Sequence, residues 1–217
     1  MTKRKPQTRK KPASRQATRT KKAKKKTAKK KTAAKKKPGS APTVAPATVS
    51  EIPGLGAVSS SQDGYVSELT PVQVLGGVPC RILVEQYDDD RDQSEIQQAV
   101  ANFLALDTSA LTDAQSHVFA YYADCRQYAD VNIESADQVW KHVQLGNAPV
   151  VSRRFYGDRG VYVSLECNCD WEEEHGLQLI FRNGEAITKV GPYDGHLTNV
   201  DAFADKTLDG VVYRPRR

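Results

Sequence analysis

From Val161 to Trp171 every odd position is apolar: Val161, Val163, Leu165, Cys167, Cys169 and Trp171. The even positions are Tyr162, Ser164, Glu166, Asn168 and Asp170. Alternation of period two over this length specifies a strand with one buried face. A second run, 177–182, puts Leu177, Leu179 and Phe181 on one face, and Asn183-Gly184 follows it. Those two residue types best tolerate positive φ at both centres of a type I′ turn. Such a turn sets Arg182 opposite Glu185, Phe181 opposite Ala186, Leu179 beside Thr188 and Leu177 beside Val190, so the apolar faces agree. The expectation is a three-stranded antiparallel meander whose first connection is the acidic loop Glu172-Glu173-Glu174-His175-Gly176.

Upstream, the runs 72–75 and 78–87 read as a hairpin joined by Gly76-Gly77, with Val78, Cys80, Ile82 and Val84 on one face. Tyr65, Val66 and Leu69 are candidates to open the fold. Three helices are predicted next. The first, 93–106, is capped by Asp92 with Glu95 and striped by Ile96, Val100, Phe103 and Leu104. The second, 113–128, is capped by Thr112 with Gln115 and striped by Val118, Tyr121 or Tyr122, and Cys125. The third, 136–145, is capped by Ser135 with Gln138 and stops at Gly146. Val150 and Val151 suggest a short strand, and 201–217 a helical turn with 211–213 as an edge strand. Strands, then helices, then strands predict an α+β fold: an antiparallel sheet built from the N-terminal hairpin and the C-terminal meander, with about three helices between.

Charge divides the chain in two. Of the 32 Lys and Arg, 19 fall in residues 1–50, which contain no Asp or Glu; the remaining 13 face 26 acidic residues, a net −13. A basic arm on an acidic body is therefore expected, in three parts. Residues 1–37 form a lysine-rich tail with too little to bury and too much self-repulsion to fold. Residues 38–62, rich in Pro, Ala and Ser, read as a semi-extended linker. Residues 63–213 form the single α+β domain. No apolar run is long enough to span a membrane, and the N-terminus lacks the apolar core of a secretory signal. A cytoplasmic setting, nucleoid-associated if the tail holds DNA, is the expectation, with reduced thiols and no cofactor.

Two clusters could carry chemistry. Cys167, Cys169, His175 and His196 are a zinc-compatible ligand set in kind, but their spacing matches no standard pattern, and both cysteines share a face with Val163, Leu165 and Trp171. They are expected to be core thiols. Glu174 with His175, and Asp194 with His196, are raw material for general acid–base catalysis. The bland alternative is a solvated turn that satisfies its own backbone. Trp140 and Trp171 sit at apolar positions of periodic elements and read as core.

The run Cys167-Asn168-Cys169-Asp170-Trp171-Glu172-Glu173-Glu174-His175-Gly176-Leu177 resembles the hallmark of a family of bacterial proteins of unknown function. In that family a strand ends in Trp and acidic residues, then Glu-His-Gly-Leu, a hydrophobic strand and an NG or DG turn. The helix carrying Tyr121-Tyr122 and Asp124 resembles the family's Tyr-Tyr helix. The resemblance spans roughly 65–205 and carries over to Trp171, Glu174, His175 and Gly176. It implies a fold and a domain boundary but no activity. The tail is similar in composition to the lysine- and alanine-rich tails of linker histones and histone-like bacterial proteins.

The strongest functional signal is that tail. Lys21, Lys22, Lys24, Lys25, Lys26, Lys29, Lys30, Lys31, Lys35, Lys36 and Lys37 form a dense array suited to phosphates, which bind by counterion release without base readout. No aromatic residue occurs before Tyr65, so the tail cannot stack on bases. The expectation is a non-enzymatic protein binding DNA or RNA through its tail, the acidic domain meeting an unidentified ligand or protein partner. An enzyme or metal protein centred on the Cys-x-Cys and Glu-His loop is the first alternative. A protein-interaction module, for instance toxin-neutralising, is the second.

Overall fold

The computed structural model describes residues 50–215. The lysine-rich tail, including every lysine named above, and residues 38–49 of the expected linker lie outside the described residues. In chain order the strands are β1 (Glu51–Ile52), β2 (Gly56–Ser60), β3 (Gly64–Ser67), β4 (Thr70–Val72), β5 (Val78–Cys80) and β6 (Leu83–Glu85). Helices α1 (Gln93–Ala105) and α2 (Ser109–Cys125) follow. Then come β7 (Val143–Gln144), β8 (Val150–Arg153), β9 (Val161–Cys169), β10 (Leu177–Arg182), β11 (Ala186–Gly191) and a short α3 (Asn199–Phe203). The fold is α+β. One sheet runs β1-β2-β3-β6-β8-β9-β10-β11, with β7 pairing the far end of β9. The hairpin β4–β5 stands apart as a second, two-stranded sheet.

The meander forms as its alternation dictates, and in β9 every odd residue from Val161 to Cys169 is buried. Asn183 and Gly184 both take positive φ, 50° and 69°. The register differs from the expected one. Arg182 faces Ala186 and Phe181 faces Ile187; after a bulge Leu179 faces Val190. The three-residue connection between Arg182 and Ala186 and the bulge between Ile180 and Phe181 each slip the pairing by one residue, so together they keep the two strands' faces in phase. The turn also serves as a docking point. A Cβ on Gly184 would fall inside the Ala99 carbonyl of α1, and the Asn102 amide donates to the Asn183 carbonyl at 3.0 Å. Beneath the turn Phe103 meets Phe181 edge-on, centroids 5.1 Å apart.

Five sequence expectations are corrected. The linker does not extend to residue 62. Pro53-Gly54 turns a hairpin, with the Leu55 N–H donating to Ile52 O at 3.0 Å, and Ile52 is fully buried. Two apolar side chains in a Pro/Gly-rich stretch suffice because they add to an existing sheet rather than building a core alone. The sheet is mixed rather than wholly antiparallel: β6 and β8 run parallel, Leu83 opposite Val150, through a crossover that contains α1 and α2. Helix α2 starts at Ser109, whose N–H is taken by Asp107 Oδ1 at 2.8 Å, and not at the Thr112 cap. The third helix is a 3₁₀ turn, Ala136–His142, which leads into β7 instead of continuing to residue 145. At the C-terminus Val211–Tyr213 forms no strand, although the Val190 N–H donates to Val212 O at 2.8 Å.

Helices α1 and α2 pack against β8, β9 and β11 on the face that carries Val163, Leu165, Leu179, Phe181 and Val190. The opposite face, with Gln178, Ile180 and Lys189, is buried as well, so β10 has both faces covered. The segment after β11 folds back over it. Among the described residues no helix is long and apolar enough to cross a membrane.

Candidate functional site

The β9–β10 connection is built on Glu172. Its Oε1 accepts the backbone N–H of Glu174 at 3.0 Å and of His175 at 3.3 Å, a side-chain cap on a tight turn. Its Oε2 lies 3.1 Å from His175 Nδ1. The carboxylate beside the imidazole is thus Glu172's rather than Glu174's, whose side chain is exposed. Gly176 takes φ 59° because a Cβ there would run into the Cys167 carbonyl oxygen. The Tyr121 hydroxyl donates to Gly176 O at 3.0 Å, fastening the turn to α2. Trp171 stands edge-on to both Tyr121 and Tyr122, centroids 6.0 Å away in each case. The Tyr-Tyr helix and the Trp-acidic-Glu-His-Gly stretch are therefore one packed unit, and its best-explained role is to hold the turn.

His175 is half exposed. It lies between a cleft of 550 Å³, lined by Asn147, Glu166, Asn168, Glu174, His175 and Tyr193, and a groove of 460 Å³ with Tyr128, Asp130, Asp170 and Glu173. Burial and then Glu166 push the Tyr193 hydroxyl above its ordinary range. The Glu172–His175 pair could accept or donate a proton, and the hydroxyl that approaches it, Tyr121 at 3.4 Å from Glu172 Oε2, is buried and donates to Gly176 O.

Asp194 and His196 serve a different centre. Lys189, 1% exposed, donates to Asp194 Oδ1 at 2.5 Å, Gln178 Oε1 at 2.8 Å and the His196 carbonyl at 2.9 Å. Three acceptors match the three protons of an ammonium group. Burial pulls the Lys189 pKa down while Asp194 opposes the shift. Asp194 also accepts the His196 N–H at 2.9 Å, which shapes the loop around the lysine. No hydrogen bond joins His175 to Asp194 or His196 among the described residues, so the four acid–base candidates form two structural sites.

Cys167 and Cys169 are buried, 6% and 4% exposed, and burial pushes both thiols up to about 12. No group of three or more His, Cys, Asp or Glu among the described residues is arranged to hold a metal ion. Thiols held this far from ionisation are poor nucleophiles.

Sequence reasoning missed Lys189 and a pair of arginines. Arg153 grips Asp90 with Nε at 2.7 Å and Nη2 at 2.8 Å and also contacts Glu95; Arg154 grips Asp201 at 2.6 and 2.7 Å. A lysine inside the strand Ala186–Gly191, flanked by Ile187 and Val190, was the available signal for the first. Asp90 and Asp201 lie far from the arginines in sequence, so nothing local announced those pairs.

The profile of a family described as "Domain of unknown function (DUF6985)" matches residues 54–197, about two thirds of the chain. Comparison with curated proteins and with solved structures finds no match.

Proposed function

The chain belongs to the DUF6985 family, and from that premise we propose a non-enzymatic binding protein whose lysine-rich segment holds nucleic acid without reading its sequence and tethers an acidic α+β domain to it. The observation that carries this reading is the charge split: 19 Lys and Arg without one Asp or Glu in residues 1–50. Such an array gains affinity by releasing counterions from phosphates, whatever the bases. The domain's own chemistry supports a binding role over a catalytic one, because His175 and His196 are engaged in turns and the thiols are in the core. Its acidic clefts around Glu173 and Glu174 suit a basic protein partner.

A salt titration tests the tail. If about eight cations meet phosphates, log affinity for duplex DNA falls against log salt with a slope near −7, and replacing half the lysines by glutamine reduces it roughly in proportion. Removing residues 1–37 abolishes the binding. Equal DNA affinity with and without those residues overturns the proposal.

A further inference from the structure

We infer that the β8–β9 hairpin tip is a stacking site for the bases of single-stranded nucleic acid, an inference that rests on the nucleic-acid reading of the tail. The tip, Arg154-Phe155-Tyr156-Gly157-Asp158-Arg159-Gly160, is closed by the Arg154 N–H donating to Gly160 O at 2.9 Å. Two arginines brace it from below. Arg154 holds Asp201 and Asp158, its guanidinium lying directly against Gly157. Arg153 holds Asp90 and donates to the Arg159 carbonyl at 2.8 Å. Both arginine side chains are about nine-tenths buried. The loop is thus fixed by its charges and presents its rings to solvent: Phe155 is 68% and Tyr156 80% exposed, and neither joins the core cluster.

Two cations remain available beside the rings. Arg159 has no carboxylate within 4 Å among the described residues, and Arg91 meets an exposed Glu95 at 3.6 Å and donates to the Arg159 carbonyl at 3.5 Å. Phe155, Arg91 and Arg159 line a common cleft of 140 Å³, room for a phosphate group. Pre-positioned aromatic faces with neighbouring cations suit unpaired bases, each of which offers a π-face. Asp89 also borders the cleft and opposes a phosphate, so stacking rather than net charge must supply the gain. A duplex hides its base faces and gains little here. The division of labour is complementary: the tail supplies cations and no aromatic ring, and this tip supplies rings on a braced loop.

The test uses the full-length chain with a single-stranded oligonucleotide carrying 5-iodouracil and with its duplex. The Phe155→Ala/Tyr156→Ala variant, in which both changes fall on exposed side chains, is expected to lose about tenfold in single-strand affinity. Its duplex affinity and both salt slopes stay unchanged. Photocrosslinks of the wild type map to residues 155 and 156. Equal single-strand affinity in variant and wild type, or crosslinks confined to residues 1–49, overturns the stacking site and leaves the exposed pair to a protein contact, with the tail proposal intact. Failure of the wild type to bind even the duplex removes the tail proposal itself.

Discussion

Lys189 and the paired thiols show how one environment treats opposite chemistries. A buried ammonium group survives because three oxygens replace its water, whereas the thiols survive by staying neutral. The consequence for Cys167 and Cys169 has a sign. An unfolded thiol ionises near 9.0 and the folded ones near about 12, so the native state holds protons that the unfolded chain has lost between those values. The thiols' contribution is fully present below pH 9 and drains away as pH rises toward 12. Replacing both with Ala should remove that alkaline component and cost about 1–3 kcal/mol at neutral pH through lost packing. Chemical denaturation at pH 7 and pH 10 measures both effects. Stoichiometric zinc in the wild type, absent from the double variant, would contradict the core-thiol assignment. At this scale alternation alone exposed the burial of Cys167 and Cys169, because inward-facing positions repeat every two residues. The true partner of His175 was hidden, because three consecutive glutamates are equivalent in sequence and only the turn's geometry selects Glu172.

The β10–β11 hairpin is the element whose behaviour follows most directly from local chemistry, since Asn-Gly dictates the turn. Yet its register was set by more than the turn. The bulge at Ile180/Phe181 accommodates both the docking of Gly184 on α1 and the pairing of Leu179 with Val190. Gly184→Val should therefore be worse than a strained turn. A β-branched residue is disfavoured at φ 69°, and its Cβ would push α1 away from the sheet. A loss of about 3 kcal/mol or more is expected, read as a drop in melting midpoint. An unchanged midpoint would argue against the helix–turn contact. Helix α1 was legible because Asp92 caps it, its side chain accepting the Ser94 N–H, and its apolar stripe has one phase. Helix α2 begins one turn before the Thr112 signal, where Asp107 takes the Ser109 N–H.

Across the whole molecule, the N-terminal strands are the test of where the domain begins. Ile52 and Leu55 belong to the same buried cluster as β9 and β10, and β2 bonds to β3 through Val58–Ser60. A chain starting at residue 63 should melt well below one starting at residue 50, because it leaves β3 an open edge and exposes the apolar surface that Ile52 covers. Coincident unfolding curves for the two would show that the first two strands contribute nothing. By itself the sequence determined the charge division, the alternation of β9, the turn at Asn183-Gly184 and the α+β class, because these depend on residue type and short-range spacing. Only the tertiary structure decided that β6 and β8 pair in parallel, that both faces of β10 are buried, and that Arg153 reaches Asp90 and Arg154 reaches Asp201. Those outcomes join residues from distant parts of the chain, and local propensity carries no information about which segments meet.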